Sequence, residues 1–135
     1  MRVFLDTNVL VSAFASRGLC TEVLELVLLD HDLILGRNVL RGLARALREK
    51  VKLSVVRSAE IIDFVSSEAI QVVDKAEPAI ANVDAADALV LGEALAGHAE
   101  LFVTGDTALL RLATVGALRL VSPRQFWEVL RTGNT

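Results

Sequence analysis

Four aspartates stand where apolar runs of the chain break off. Asp6 follows Val3–Leu5 in "RVFLDTNVLVSA", Asp106 follows Leu101–Val103 in "ELFVTGD", and Asp84 and Asp87 open the helix-like stretch "DAADALVLGEALA". Carboxylates held close together repel one another unless protons or cations relieve the charge. An oxygen-only set without His or Cys suits hard cations, Mg2+ or Mn2+, rather than zinc. Such ions lower the pKa of bound water and clamp a phosphodiester oxygen, the chemistry of in-line hydrolysis. On this reading Asp6, Asp87 and Asp106 are the catalytic carboxylates and the metal ligands, directly or through water, with Asp84 a further candidate. Thr7, Asn8, Ser12 and Thr104 offer neutral hydrogen-bonding groups for metal waters or phosphate. Singly, each aspartate has an ordinary explanation, Asp84 as a helix N-cap and Asp6 and Asp106 as loop formers after strands. Only their convergence would make a site.

Convergence requires a scaffold. Short apolar runs at Val3–Leu5, Leu33–Leu35, Ile70–Val73, Leu101–Val103 and Leu118–Val121 alternate with helix-length patterns. That alternation predicts an α/β fold, a mostly parallel central sheet flanked by helices. The helices are expected over Val9–Ala15, from a Thr21 cap to Leu29, over Asn38–Arg48, from a Ser58 cap to Ser67, from an Asp84 cap to Ala96, over Thr107–Ala113, and from Ser122-Pro123 to Arg131. The stretch from Asp74 to Val83, with Pro78, reads as a loop. Open parallel sheets bind ligands beyond the carboxyl ends of their strands, and that is where Asp6 and Asp106 stand.

Composition bounds the remaining choices. The 135 residues suit one domain, 1–135, and at 53% hydrophobic they can bury a core without disulfides or structural metal. Mean hydropathy is +0.52, yet charges interrupt every apolar window before the ~18 residues a membrane span requires. No leader resembling a signal peptide precedes the first strand, and Cys20 is a lone cysteine. Together these point to a cytoplasmic protein with no membrane association. The net charge of −3 argues against wholesale nucleic-acid coating and leaves room for a local basic patch.

The segments "FLDTNVLVSAF", "DAADALVLGEALAGHAELFVTGDTALL" and "VSPRQFWEVL" together resemble a PIN domain and are similar to the VapC-like ribonuclease toxins of bacterial toxin–antitoxin pairs. The likeness runs over nearly the whole chain and is weakest in the middle. It implies a Rossmann-like PIN fold, divalent-metal-dependent hydrolysis of RNA with metal-activated water, and a small antitoxin as partner. It carries the family's acidic positions to Asp6, Asp87 and Asp106, its strand-end Thr to Thr104, and an acidic position found in part of the family to Asp84. Two other families with a strand-end Asp fit less well. A haloacid-dehalogenase-like phosphatase needs a second Asp at position 8, which is Asn8, and a response-regulator receiver needs an acidic pair where Thr7 and Asn8 stand.

One expected piece is absent. PIN nucleases usually carry a Glu on the helix after the second strand, and in "LGRNVLRGLARALREK" that position falls on Gly42. The alternative is therefore a catalytically weakened PIN-fold protein that binds RNA or an antitoxin. The same helix bears Arg37, Arg41, Arg45 and Arg48, spaced as one cationic stripe. It reads either as a solvated face or as a contact for RNA phosphates or an acidic partner. "TEVLELVLLD" is apolar on nearly all sides, which favours a homodimer or antitoxin contact. His31 and His98, near helix ends, are not expected to act as catalytic bases, and Phe126 and Trp127 are expected to pack.

Overall fold

A computed structural model describes residues 1–132. Six strands form one sheet: β1 (Arg2–Leu5), β2 (Asp32–Gly36), β3 (Gln71–Val73), β4 (Leu101–Val103), β5 (Thr114–Val115) and β6 (Leu118–Val121). Their spatial order is β3-β2-β1-β4-β6-β5, and every neighbouring pair is parallel except β5 with β6. Seven helices flank it: α1 (Thr7–Ala15), α2 (Leu19–Asp30), α3 (Arg37–Glu49), α4 (Val55–Glu68), α5 (Ala85–Ala96), α6 (Thr107–Leu110) and α7 (Pro123–Thr132). The architecture is the α/β class with the mostly parallel sheet that the sequence predicts.

Strand β1 lies mid-sheet because it is apolar on both faces. Val3, Phe4 and Leu5 are fully buried, and Phe4 stacks on Phe102 of β4 with ring centroids 5.3 Å apart. The chain leaves β1 towards β2 on one side, while β4 pairs on the other, so the strand order reverses between β1 and β4. That reversal opens a crevice beyond the carboxyl ends of both strands. The amide of Asp6 extends the pairing, donating to the Val103 carbonyl at 2.9 Å, and the amide of Thr104 donates to Val121 at 3.0 Å.

Several local expectations are corrected. Helix α2 starts at Leu19 behind Gly18, not at a Thr21 cap, and the Thr21 hydroxyl turns back to the carbonyls of Ala13 and Ser16. Helix α4 is capped by Ser54, which accepts from the amide of Arg57, whereas Ser58 lies inside the helix and is buried. The helix expected over Thr107–Ala113 ends at Leu110, and the chain then turns through Ala113 and Gly116, both at positive φ, to make the hairpin β5–β6. Helix α1 begins two residues earlier than Val9 and β3 one residue later than Ile70. Asp84 caps α5, and Ser122 and Gln125 bond each other's backbone amides at the start of α7.

Helix α2 packs against α1, β2 and α7. Val23, Leu24 and Val27 are buried in that contact, which accounts for much of its apolar surface, while Leu29 stays 79% exposed. Phe126 is fully buried and meets the His31 ring edge-on. Among the described residues, no helix is long and apolar enough to cross a membrane.

Candidate active site

Asp6 reaches the crevice because β1 ends there and α1 begins at the next residue. Its extended backbone makes it the N-cap of α1, and its Oδ1 accepts from the Thr7 amide at 2.8 Å. Its Oδ2 accepts from the Thr104 hydroxyl at 2.7 Å and from Asn8 Nδ2 at 3.2 Å. Thr104, fully buried at the end of β4, also accepts from the amide of Asp106 at 3.0 Å. Asn8 ties the two strand ends together, since its Oδ1 accepts from the Gly105 amide at 3.0 Å. Burial pushes the Asp6 carboxyl above its ordinary value; hydrogen bonds from Thr104, Thr7 and Asn8 oppose this, and the charge of Asp106 adds to it.

Asp106 caps the short helix α6, its Oδ1 accepting from the amides of Ala108 at 2.8 Å and Leu109 at 3.4 Å. Asp87 arrives from the first turn of α5, placed by Asp84, whose Oδ1 accepts the Asp87 amide at 2.8 Å. Ala88 and Leu91 on the same helix face the core, and this rotation leaves Asp87 half-buried at the crevice. Its pKa is raised to about 6, first by desolvation, then by the charges of Asp84, Asp106 and Asp6. The three segments therefore meet electrostatically.

Asp6, Asp87 and Asp106 line one cavity of about 560 Å³. Thr7, Asn8 and Ser12 line it too, whereas Thr104 lies buried beneath Asp6 and Asp84 stays at the head of α5 outside it. A smaller hollow of about 310 Å³ shares Asn8, Ser12 and Asp106 with it and continues the groove across α1. The far wall is α3 with its C-cap, which present Asn38, Gly42, Ala46 and Lys50, each four residues after the last. Gly42 packs on α1: a Cβ there would stand 3.1 Å from Thr7 Oγ1 and 3.2 Å from its Cγ2. Glu49 bonds Arg45 at 3.2 Å on the exposed face. The four arginines lie exposed beside the cavity wall rather than in it, with Arg37 paired to Asp74 at 3.1 Å.

Sequence reasoning passed over Asn38 as a wall residue, although its spacing from Gly42 was the available signal. It also missed Glu93, which is 1% exposed on α5 and whose Oε2 accepts from the backbone amide of Asn38 at 2.8 Å and from Asn38 Nδ2 at 3.1 Å.

The donor chemistry can be set against a divalent ion. Among the described residues, no three carboxylate, imidazole or thiol groups stand close enough to enclose an ion. Mg2+, however, keeps several waters and binds through one or two carboxylates. Coupled carboxylates with Asp87 held partly protonated near pH 6 thus fit a hydrated hard cation, which would relieve their repulsion.

A Rossmann-like sheet with acidic groups gathered at its switch point defines the class. Within that class, the sequence matches the PIN domain family over residues 2–108, and the chain belongs to that family. No curated protein sequence matches it. Among solved structures it is similar to VapBC2 from Rickettsia felis, seen bound to a DNA fragment from its promoter, with TM-score 0.64 and 17% identity over 90% of this chain and 98% of that one. It is similar also to VapBC-1 from nontypeable Haemophilus influenzae, with TM-score 0.66 and 15% identity over 92% and 99%. At these identities the likeness concerns the fold.

Proposed function

We propose that the chain is a VapC-like endoribonuclease that hydrolyses RNA phosphodiesters with Mg2+ or Mn2+ bound at Asp6, Asp87 and Asp106. The supporting observation is that three aspartates from three separate segments line one cavity, where the charges of Asp106 and Asp6 add to the raised proton affinity of Asp87. The chemistry supplied with the ion in place is a water of lowered pKa and positive charge against the phosphate oxygens. The chain's own residues do the rest. Thr104 and Asn8 hold the Asp6 carboxylate in one orientation, Asp84 fixes the turn that carries Asp87, and Lys50 stands at the wall where a phosphate would lie. The arginine stripe supplies salt-dependent contacts to the rest of the RNA backbone. The fold shared with the VapBC structures supports an antitoxin as partner, and the exposed Leu29 end of α2 favours a homodimer. A cytoplasmic setting accords with both.

A second reading has its own observation. The wall that would carry the family's Glu is bare at Gly42, which favours a PIN-fold binding protein with weakened catalysis. Cleavage of labelled single-stranded and structured RNAs in Mg2+ and Mn2+, with EDTA controls, separates the two. The nuclease reading expects cleavage by the parent chain and a loss of about 100-fold or more in Asp6→Asn, beyond the cost of disturbing an outer-shell partner. Cleavage indifferent to EDTA and to Asp6→Asn would overturn it. Activity confined to Gly42→Glu would establish the weakened scaffold instead.

A further inference from the structure

The N-terminus of α3 is capped from another helix. Its own N-cap, Gly36, has no side chain, and the carboxylate of Glu93 on α5 takes the cap's place by accepting the Asn38 amide. The arrangement is exclusive, because a Cβ on Gly36 would overlap the Glu93 carboxyl group. It is also costly. No ion pair among the described residues includes Glu93, its Oε1 is buried without a hydrogen bond, and burial holds its pKa up against the pull of the Asn38 and Val39 amides and of Arg41. A hydroxyl or amide side chain at position 36 would cap the helix without burying a charge. What Glu93 does beyond capping is hold the side chain of Asn38, accepting from its Nδ2 at 3.1 Å.

That second bond fixes which end of the Asn38 amide faces elsewhere. The carboxylate accepts only, so it takes the NH2 group and repels the carbonyl. Asn38 also lines the acidic cavity, one turn before the bare Gly42. We propose that Asn38 Oδ1 is a neutral oxygen donor to the hydrated divalent cation on the α3 wall, and that Glu93 is the positioning residue that sets its orientation. This rests on the metal-site reading given above and deepens it: α3 contributes an uncharged oxygen where it lacks a carboxylate.

Mn2+ titration followed by electron paramagnetic resonance tests this without any need for cleavage, with circular dichroism confirming that each variant is folded. The full chain is compared with Asp6→Asn, Asn38→Ala and Glu93→Gln. Asn38→Ala keeps the backbone amide that Glu93 caps, so it isolates the side chain. Binding lost in Asp6→Asn and weakened about tenfold in both Asn38→Ala and Glu93→Gln is the expected result, the size seen when groups supporting a metal site are removed. Binding lost in Asp6→Asn but unchanged in Asn38→Ala overturns this inference and leaves the metal site standing. Binding unchanged in Asp6→Asn overturns the metal-site reading itself. Weakening in Asn38→Ala with none in a folded Glu93→Gln overturns the positioning role. Should Glu93→Gln fail to fold, Asn38→Ala decides alone.

Discussion

On the side of the pocket built by α1, β4 and α5, each aspartate is held by a cap or a hydrogen bond from a neighbouring segment. On the α3 side the lining is Asn38, Gly42, Ala46 and Lys50, and nothing there is acidic. The first side concentrates negative charge and positions it tightly. The second admits close approach of α3 to α1 and places a cation at one end. The difference teaches that charge and shape are divided between the walls: one attracts an ion and the other sets how near a ligand and its neighbouring helix can come.

The sharpest way to break that division is to fill the support behind α3. Gly36→Ala drives a methyl group into the Glu93 carboxyl, and overpacking of this kind costs about 1–3 kcal/mol. Urea unfolding should show that loss in Gly36→Ala, and a much smaller loss when Glu93→Ala is present in the same chain. Equal losses in the two backgrounds would mean that the contact is not what requires glycine.

The acidic wall is tested by pH. Asp87 has a folded pKa of about 6 against an ordinary value of 3.8, so the folded state holds this proton more tightly than the unfolded chain does. With EDTA present, stability should therefore fall as pH rises from about 4 to about 6 and level off above that. Asp6, also raised, contributes in the same direction. Mn2+ affinity should climb over the same interval, because cation and proton compete for the same oxygens. Asp87→Asn should flatten the slope of denaturant midpoints between about pH 4 and about pH 6; an unaltered slope would assign it to other groups.

The smallest effect concerns Gly42. Ala is the better helix former by about 1 kcal/mol, but the new methyl would crowd Thr7. Gly42→Ala should therefore gain less than that in the native background and close to the full amount beside Thr7→Ala. A double-mutant cycle of unfolding free energies measures the difference, and an absence of coupling would show that the two walls do not constrain each other.

Legibility in the sequence followed the range of the interactions. Strands β4 and β6 agree residue for residue with their apolar runs, and the Asp84 and Ser122-Pro123 caps act within three residues of themselves. The acidic side of the pocket was legible for the same reason, since strand ends and first helical turns announce themselves locally. Thr21 and Ser58 misled because each has the right chemistry for a cap while Gly18 and Ser54 hold the actual positions. The β5–β6 hairpin is only two residues wide on its outer strand and depends on turns at positive φ. Glu93 was illegible outright: its partners, Gly36 and Asn38, lie 57 and 55 positions earlier, and neither side of the contact carries a pattern of its own.

The hydrogen bond from Thr104 to Asp6 spans 98 positions. Asp6 therefore leaves the ribosome 100 residues before Asp106. Through all of that interval the Asp6 carboxylate stands without Thr104 and Asp106. A product cut short before residue 104 lacks both the hydroxyl that holds Asp6 and the third aspartate of the pocket, whatever else of the sheet it has formed.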